Sequence, residues 1–193
     1  MPSSRRIPKA EHREGLVALT GTPGTGKTSV ARALAPRWRS VELGEWAVSV
    51  GAGRKIRDGF EVDLERLSRL LRRPEVEAPG PILVGHLAHL LPVHTVVVLR
   101  CHPERLRERL DRDERGSAAD RKANYVSEAI DLVLLEALRP GRKVYEIDTT
   151  DRTVAEVARL VARRLEEGGP SEFGIVDWLS DPVVTEHVMA RPG

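Results

Sequence analysis

The chain alternates short apolar runs with stretches of helical spacing. Leu16–Leu19, Ile82–Val84, Thr95–Leu99 and Val144–Ile147 are apolar runs rich in β-branched residues, and a weaker one falls near Val41–Leu43. Runs of this length predict strands buried on both faces, as in parallel sheets. Between them, apolar residues recur at helical intervals: Leu64, Leu67, Leu70 and Leu71; Leu106 and Leu110; Ile130, Leu134 and Leu138; then Val154, Val157, Leu160, Val161 and Leu165. Alternating strands and helices predict an α/β fold, a parallel five-stranded sheet with helices on both faces. Pro79-Gly80-Pro81 and Pro140-Gly141 mark loops ahead of strands, and Gly168-Gly169-Pro170 opens a looser carboxy-terminal tail over residues 169–193. Residues 1–14 carry Arg5, Arg6, Lys9 and Arg13 with almost no apolar content. They read as a disordered basic arm, either a nucleic-acid contact or a solvated tail. Residues 15–168 then form the folded domain.

Directly after the first apolar run stands Gly21-Thr22-Pro23-Gly24-Thr25-Gly26-Lys27-Thr28, the spacing of a phosphate-binding loop. Glycines let the backbone approach an oligophosphate, and the amides opening the next helix, at Gly24, Thr25, Gly26, Lys27, Thr28 and Ser29, point at it with the positive end of the helix dipole. Lys27 reaches the β and γ phosphates, and the Thr28 hydroxyl ligates a Mg2+ ion that bridges them, since magnesium keeps several waters and takes few protein ligands. ATP and Mg2+ are the expected cofactors.

Composition narrows the setting. A chain of 193 residues suffices for one α/β domain with a substantial core. The single Cys101 cannot close an internal disulfide and no cysteine cluster offers a zinc site, so a reducing cytoplasm is expected. No run approaches the length of a membrane span, and the start lacks the apolar centre of a signal peptide. The formal charge is +2, but only five of the 31 basic residues are lysine. Arginine suits bidentate phosphate contacts; a compositional bias of the genome explains the excess equally well.

A phosphate loop does not choose among kinase, GTPase, motor and transporter. No Asn-Lys-x-Asp stretch for guanine and no ABC-type signature is present, whereas short connections and an arginine-rich segment after the fourth strand favour a small kinase. Four segments taken in order sharpen this: Ala18 to Thr28, then Gly85-His86-Leu87-Ala88-His89-Leu90-Leu91-Pro92, then Val98-Leu99-Arg100-Cys101, then Glu146-Ile147-Asp148-Thr149-Thr150. Together with Val176-Asp177-Trp178-Leu179 they resemble the archaeal branch of the adenylate kinase isoenzyme 6 family, adenylate-kinase-like ATPases associated with small ribosomal subunit maturation.

The resemblance implies a P-loop nucleoside monophosphate kinase core, with a monophosphate-binding insertion at residues 42–65 and a short lid at 112–124. It implies ATP and AMP as substrates, ATPase activity, and a small-subunit ribosomal protein and rRNA as partners of a monomer. It places Arg115 over the transferring phosphate, where an arginine stabilises developing charge; Arg109, Arg112 and Arg121 are the alternatives. Asn124, Glu128 and Asp131 fall in the helix that follows the lid. His86 matches the family histidine linked to ATP hydrolysis, or is a histidine satisfied by backbone at a strand end; His89 reads as structural. Thr149 and Thr150 approach the adenine, or cap a helix.

Three departures stand against the pattern. The family carries an acid two residues before His86, where it orders metal-bound water, but this chain has Val84; Asp58 or Asp63 are the candidate replacements. The family's asparagine and basic residue near 42 and 48 are here Glu42 and Val48, with Arg54, Lys55 and Arg57 downstream as substitutes or as a solvated loop. The lid reads one residue shorter, with Ser117 where an aromatic is usual. Two functions follow as expectations: a kinase with slow ATP hydrolysis, or a nucleotide-gated assembly factor that offers an acidic groove near Glu42, Glu45, Asp58 and Glu61 to a basic partner. A shikimate- or gluconate-type small-molecule kinase shares the loop alone.

Overall fold

The computed structural model describes residues 13–35, 37–57, 59–73, 81–114 and 116–190. Arg115, Asp58 and the arm through residue 12 lie outside the described residues. The strands among them are β1 (Arg13–Thr20), β2 (Ser40–Glu42), β3 (Gly53–Ile56), β4 (Gly59–Val62), β5 (Ile82–Val84), β6 (Val93–Arg100) and β7 (Lys143–Asp148). The helices are α1 (Lys27–Leu34), α2 (Leu43–Ser49), α3 (Leu64–Leu71), α4 (Pro103–Arg112), α5 (Ala118–Ala129), α6 (Leu132–Ala137), α7 (Val154–Glu167) and α8 (Pro182–Met189). Five strands pair in parallel in the order β2–β5–β1–β6–β7, and β3 pairs antiparallel with β4 as a separate hairpin.

Period-two alternation explains why β1 reads as continuously apolar. Leu16 and Ala18 point to one face, with Trp46, Leu67, Val96 and Leu134, while Val17 and Leu19 point to the other, with Val30, Leu34, Ile147, Val157 and Val161. Burial on both faces makes β1 the middle of a three-layer sandwich. From it the chain leaves through α1 toward β2 on one side, and β6 leads to β7 on the other. The carboxyl end of β1 therefore lies at the switch point where ligands of open α/β sheets sit.

Local signals set the helix starts. Asp63 accepts from the Arg66 amide to cap α3; Ser117 with Asp120 and Thr153 with Glu156 form capping boxes that open α5 and α7. Proline stands at the first turn of α4 and α8, where its missing N–H costs nothing.

Several expectations need correction. Residues 13 and 14 already belong to β1, so the arm read to residue 14 ends earlier. The run at Val41–Leu43 is not all strand: β2 stops at Glu42 and Leu43 opens α2. Ile130, Leu134 and Leu138 do not share one helix, because Asp131 takes a positive φ of 59° and breaks the chain between α5 and α6. Ile130 is 40% exposed in consequence, and Asp131 sits at the break rather than within the helix after the lid. The tail past Gly168 folds back on the core. The Glu172 amide donates to the Val144 carbonyl, its own carbonyl accepts from Glu146, and α8 buries Val184 against Tyr125 and Ala129.

Candidate functional site

The loop between β1 and α1 is shaped by glycines whose conformation and space no other residue matches. Gly21 has φ 140°, and a Cβ there would lie 2.3 Å from the Leu99 carbonyl oxygen; Gly26 caps α1 with φ 95°. Thr25 turns the loop by donating from its hydroxyl to the Thr22 carbonyl at 2.9 Å, and the Lys27 ammonium donates to the Gly21 and Thr22 carbonyls at 2.8 and 3.0 Å. Those two bonds fold the lysine across the loop it would share with a phosphate. Thr28 and Ser29 are exposed in the first turn of α1.

Beneath the loop lies a buried ionic cluster, and it is the main feature that sequence reasoning missed. Arg100 at the end of β6 is 1% exposed and donates to Glu128 Oε1 at 2.8 Å, to the Glu128 carbonyl at 3.0 Å, to Glu146 Oε1 at 2.5 Å and to Asp131. Its carboxylate neighbours outweigh the effect of burial and hold its pKa above the ordinary arginine value. Glu128 in turn accepts from the Thr22 hydroxyl at 2.5 Å and from the Cys101 amide at 3.0 Å. Glu146 accepts from the Gly174 and Ile175 amides at 2.5 and 2.9 Å. Every charge is paired and hydrogen-bonded, the condition under which charges persist in an interior. The cluster ties the phosphate loop, α5, the last strand and the tail to a single guanidinium. The available signal was the Glu128 and Asp131 pair downstream of the lid, whose partner across the fold was not legible.

Two clefts open above the carboxyl edge of the sheet. A cleft of 470 Å³ follows the loop from Pro23 to Val30 and continues past Arg109, Arg112, Thr149 and Arg152. A second of 790 Å³ lies between β2, α2, the β3–β4 hairpin and the residues Leu110, Glu114, Gly116 and Asn124 of α4, α5 and their connection. They share Pro23, Thr28 and His86. The two clefts therefore adjoin where the γ phosphate of a nucleotide in the first would end.

Of the expected residues, Gly24, Thr25, Gly26, Lys27, Thr28 and Ser29 form the first cleft with Thr149. Thr149 is 3% exposed, and its hydroxyl donates to the Arg100 carbonyl at 2.7 Å, so it presents backbone and packing rather than a free hydroxyl. Thr150 is engaged likewise with Asp148, at 2.5 Å. Arg109 is fixed by the Thr149 and Thr150 carbonyls at 2.9 and 3.0 Å, and Arg121 bonds the Gly116 carbonyl at 2.7 Å. Arg112 lines the cleft with no partner among the described residues.

His86 lines both clefts. Its pKa is lowered first by partial burial, then by the Lys27 ammonium and by His89, so the ring is neutral at pH 7. His89, 1% exposed, is structural: its Nε2 meets the acceptor-only Glu136 carboxylate at 3.0 Å and must carry the hydrogen, leaving Nδ1 to accept from the Thr20 hydroxyl at 3.0 Å. No group of three His, Cys, Asp or Glu side chains capable of gathering a metal occurs among the described residues. A hydroxyl with phosphate oxygens and water is a hard-oxygen donor set, and Thr28 at the junction of the clefts suits Mg2+ on that chemistry.

The second cleft departs from expectation. Val84 is 1% exposed at the end of β5, and Asp63 is engaged as the α3 cap. Arg54 pairs with Glu61 at 2.6 Å on the outside of the hairpin; neither it nor Lys55 nor Arg57 lines the cleft. Arg32, one turn along α1 from Thr28, does line it and has no partner among the described residues. Its spacing from Thr28 was readable in the sequence, but not its direction.

Similarity to other proteins agrees with this geometry. The family model described as AAA domain matches residues 17–131. The "Putative adenylate kinase" of Pyrococcus furiosus is 39% identical over 166 residues, 84% of this chain and 91% of that protein. The protein of the same name from Archaeoglobus fulgidus is 38% identical over 178 residues, 86% of this chain and 93% of that one. The chain belongs to this archaeal adenylate kinase family. Membership makes it a P-loop protein of the nucleotide-kinase type, with the loop and both clefts inside or beside the matched segment. Among solved structures, a shikimate kinase from Bacteroides thetaiotaomicron covers 79% of this chain and 98% of its own at TM-score 0.48 and 16% identity, too loose a likeness to argue from. No helix among the described residues is long and apolar enough to cross a membrane.

Proposed function

We propose that the chain transfers the γ-phosphoryl group of ATP to AMP, giving two ADP, and hydrolyses ATP slowly when no acceptor is bound. The observation that carries the reading is the meeting of the two clefts at Thr28 and His86. Phosphoryl transfer needs two nucleotides in line and charge neutralised between them. In this reading the first cleft holds ATP through the loop amides and Lys27, and Mg2+ on Thr28 neutralises phosphate charge. Arg112, with Arg115 outside the described residues, faces the transferring group. Arg32 meets the monophosphate in place of the basic residue replaced by Val48. In transfer the attacking atom is an AMP phosphate oxygen; in the slow hydrolysis it is water, from which neutral His86 accepts a hydrogen bond. Purified protein given ATP, AMP and Mg2+ should form ADP at roughly 1 per second or faster, the range of ordinary enzymes. ATP consumption without loss of AMP would remove the kinase reading.

A second reading, a cytoplasmic nucleotide-gated factor in small ribosomal subunit maturation and rRNA processing, is favoured by the buried chain from Thr22 through Glu128, Arg100 and Glu146 to the tail. That chain connects the nucleotide loop to an outer surface a ribosomal protein or rRNA can touch. A basic small-subunit ribosomal protein should then bind with an affinity that changes with ATP, and by linkage should change ATP affinity by the same factor. Equal binding with and without ATP would remove the gating.

A further inference from the structure

The junction of the two clefts contains Thr28 but no acid at the end of β5, because Val84 there is packed into the core with Leu19 and Val97. The neighbouring strand supplies one. In the parallel pairing of β2 with β5, Glu42 is the register partner of Val84, so the two residues end adjacent strands at one level, about 4.8 Å apart across the ladder. Both line the second cleft together with Thr28 and His86.

The Glu42 carboxylate is uncommitted. It occupies the N-cap position of α2 yet makes no capping bond, and no hydrogen bond or ion pair holds it among the described residues. The other acids of this cleft differ in placement. Glu45 projects from the seven-residue α2, and Glu114 follows α4 at a positive φ of 49°. Glu42 alone of the three is part of the main sheet, the rigid element that also sets the position of the phosphate loop through β5 and β1.

We propose that Glu42 is the carboxylate that orders the water on the Mg2+ ion at Thr28, the task having moved one strand sideways from position 84 to position 42. The proposal rests on the nucleotide-kinase reading above. Glu42 is a positioning residue: it accepts hydrogen bonds from metal-bound water and leaves direct ligation to Thr28 and the phosphates. The placement also accounts for valine at 84. A carboxylate there would be buried beside the apolar face of β1, whereas Glu42 is only half-buried and keeps its hydration until the metal arrives.

The test reads metal binding rather than turnover. Mn2+ is titrated by electron paramagnetic resonance into the full chain saturated with ADP, and ADP affinity is measured separately in chelator. Outer-shell partners typically contribute 10–100-fold to metal affinity. Glu42→Gln should weaken Mn2+ binding by about that factor while leaving metal-free ADP affinity and melting temperature unchanged. Glu42→Asp should retain part of the affinity, and Glu45→Gln all of it. Mn2+ affinity in Glu42→Gln within about twofold of wild type would overturn the proposal, as would a loss of melting temperature that marks Glu42 as structural. Wild-type protein that binds no ADP in chelator would instead overturn the kinase reading beneath it.

Discussion

The phosphate loop is anchored from below by Glu128 and Arg100 and flanked by three strands of the main sheet, while the wall of the second cleft is the seven-residue α2 and a two-stranded hairpin that carries Ile56 and Phe60 at 45% and 39% exposure. One side is fixed by buried charge and a parallel sheet; on the other, α2 is held to the core by Leu43, Trp46 and Ala47, while the hairpin is largely exposed. Domains of this kind place the mobile work in the element with few buried contacts. Under the proposed function, the contrast makes the phosphate-loop side the preorganised one and predicts that the α2 and hairpin side closes by moving against it.

Removing the anchor should break the rigid side most severely. Arg100→Met leaves Glu128 and Glu146 buried without their cation, and losing one partner of a buried ionic cluster costs about 3–5 kcal/mol. Urea unfolding should show a loss in that range; a loss under 1 kcal/mol would mean that the cluster does not hold the loop side together. Lys27→Ala follows. The ammonium is partly exposed and donates to the Gly21 and Thr22 carbonyls of the loop, outside the apolar core, so the fold should survive while turnover falls by about 10²–10³-fold, as for other lost charge-stabilising donors. Unchanged ATP turnover would contradict the assignment of the loop.

The α2 and hairpin side yields a smaller effect. A Cβ on Gly44 would lie 2.3 Å from the Phe60 ring, so Gly44→Ala must push the hairpin side chain outward, at about 1–3 kcal/mol for overpacking. AMP KM should rise while ATP affinity stays constant, and an equal change in both would deny the separation of the two sides.

The smallest effect is in pH. His89 has a folded-state pKa below the ordinary 6.5, chiefly from burial, with Arg139 and Arg142 acting in the same direction and Glu136 opposing them. Below pH 6.5 the unfolded chain takes up the proton before the folded chain does, so stability present above that pH is lost as pH falls toward the folded value. The urea midpoint should decline from pH 7 to 5 more steeply in wild type than in His89→Gln; parallel profiles would remove the assignment to His89.

The loop, the parallel sheet and most helix faces were legible because each rests on local spacing: glycines before a lysine, apolar runs of three to five, leucines a turn apart. Arg100 was visible only as one residue of a matching segment, since its partners Glu128, Asp131 and Glu146 meet it through the tertiary fold. Ile130 misled because the periodicity continued across the break that Asp131 makes with a left-handed backbone. The tail's return was hidden for a like reason: Glu172 pairs with β7 through backbone, the Ser171 hydroxyl accepts from the Val144 amide, and the Gly174 and Ile175 amides donate to Glu146, which leaves almost no trace in the apolar pattern. Arg32 was passed over because a single helix turn fixes spacing from Thr28 but not which cleft the side chain faces.

The most direct measurement is binding of a bisubstrate molecule, two adenosines joined by five phosphates, which can satisfy the account only by lying in both clefts at once. Titration should show one molecule per chain bound more tightly than ATP, with affinity lowered separately by Lys27→Ala on one side and Gly44→Ala on the other. Binding no tighter than ATP, and indifferent to Gly44→Ala, would contradict the claim that the two clefts form one phosphoryl-transfer site.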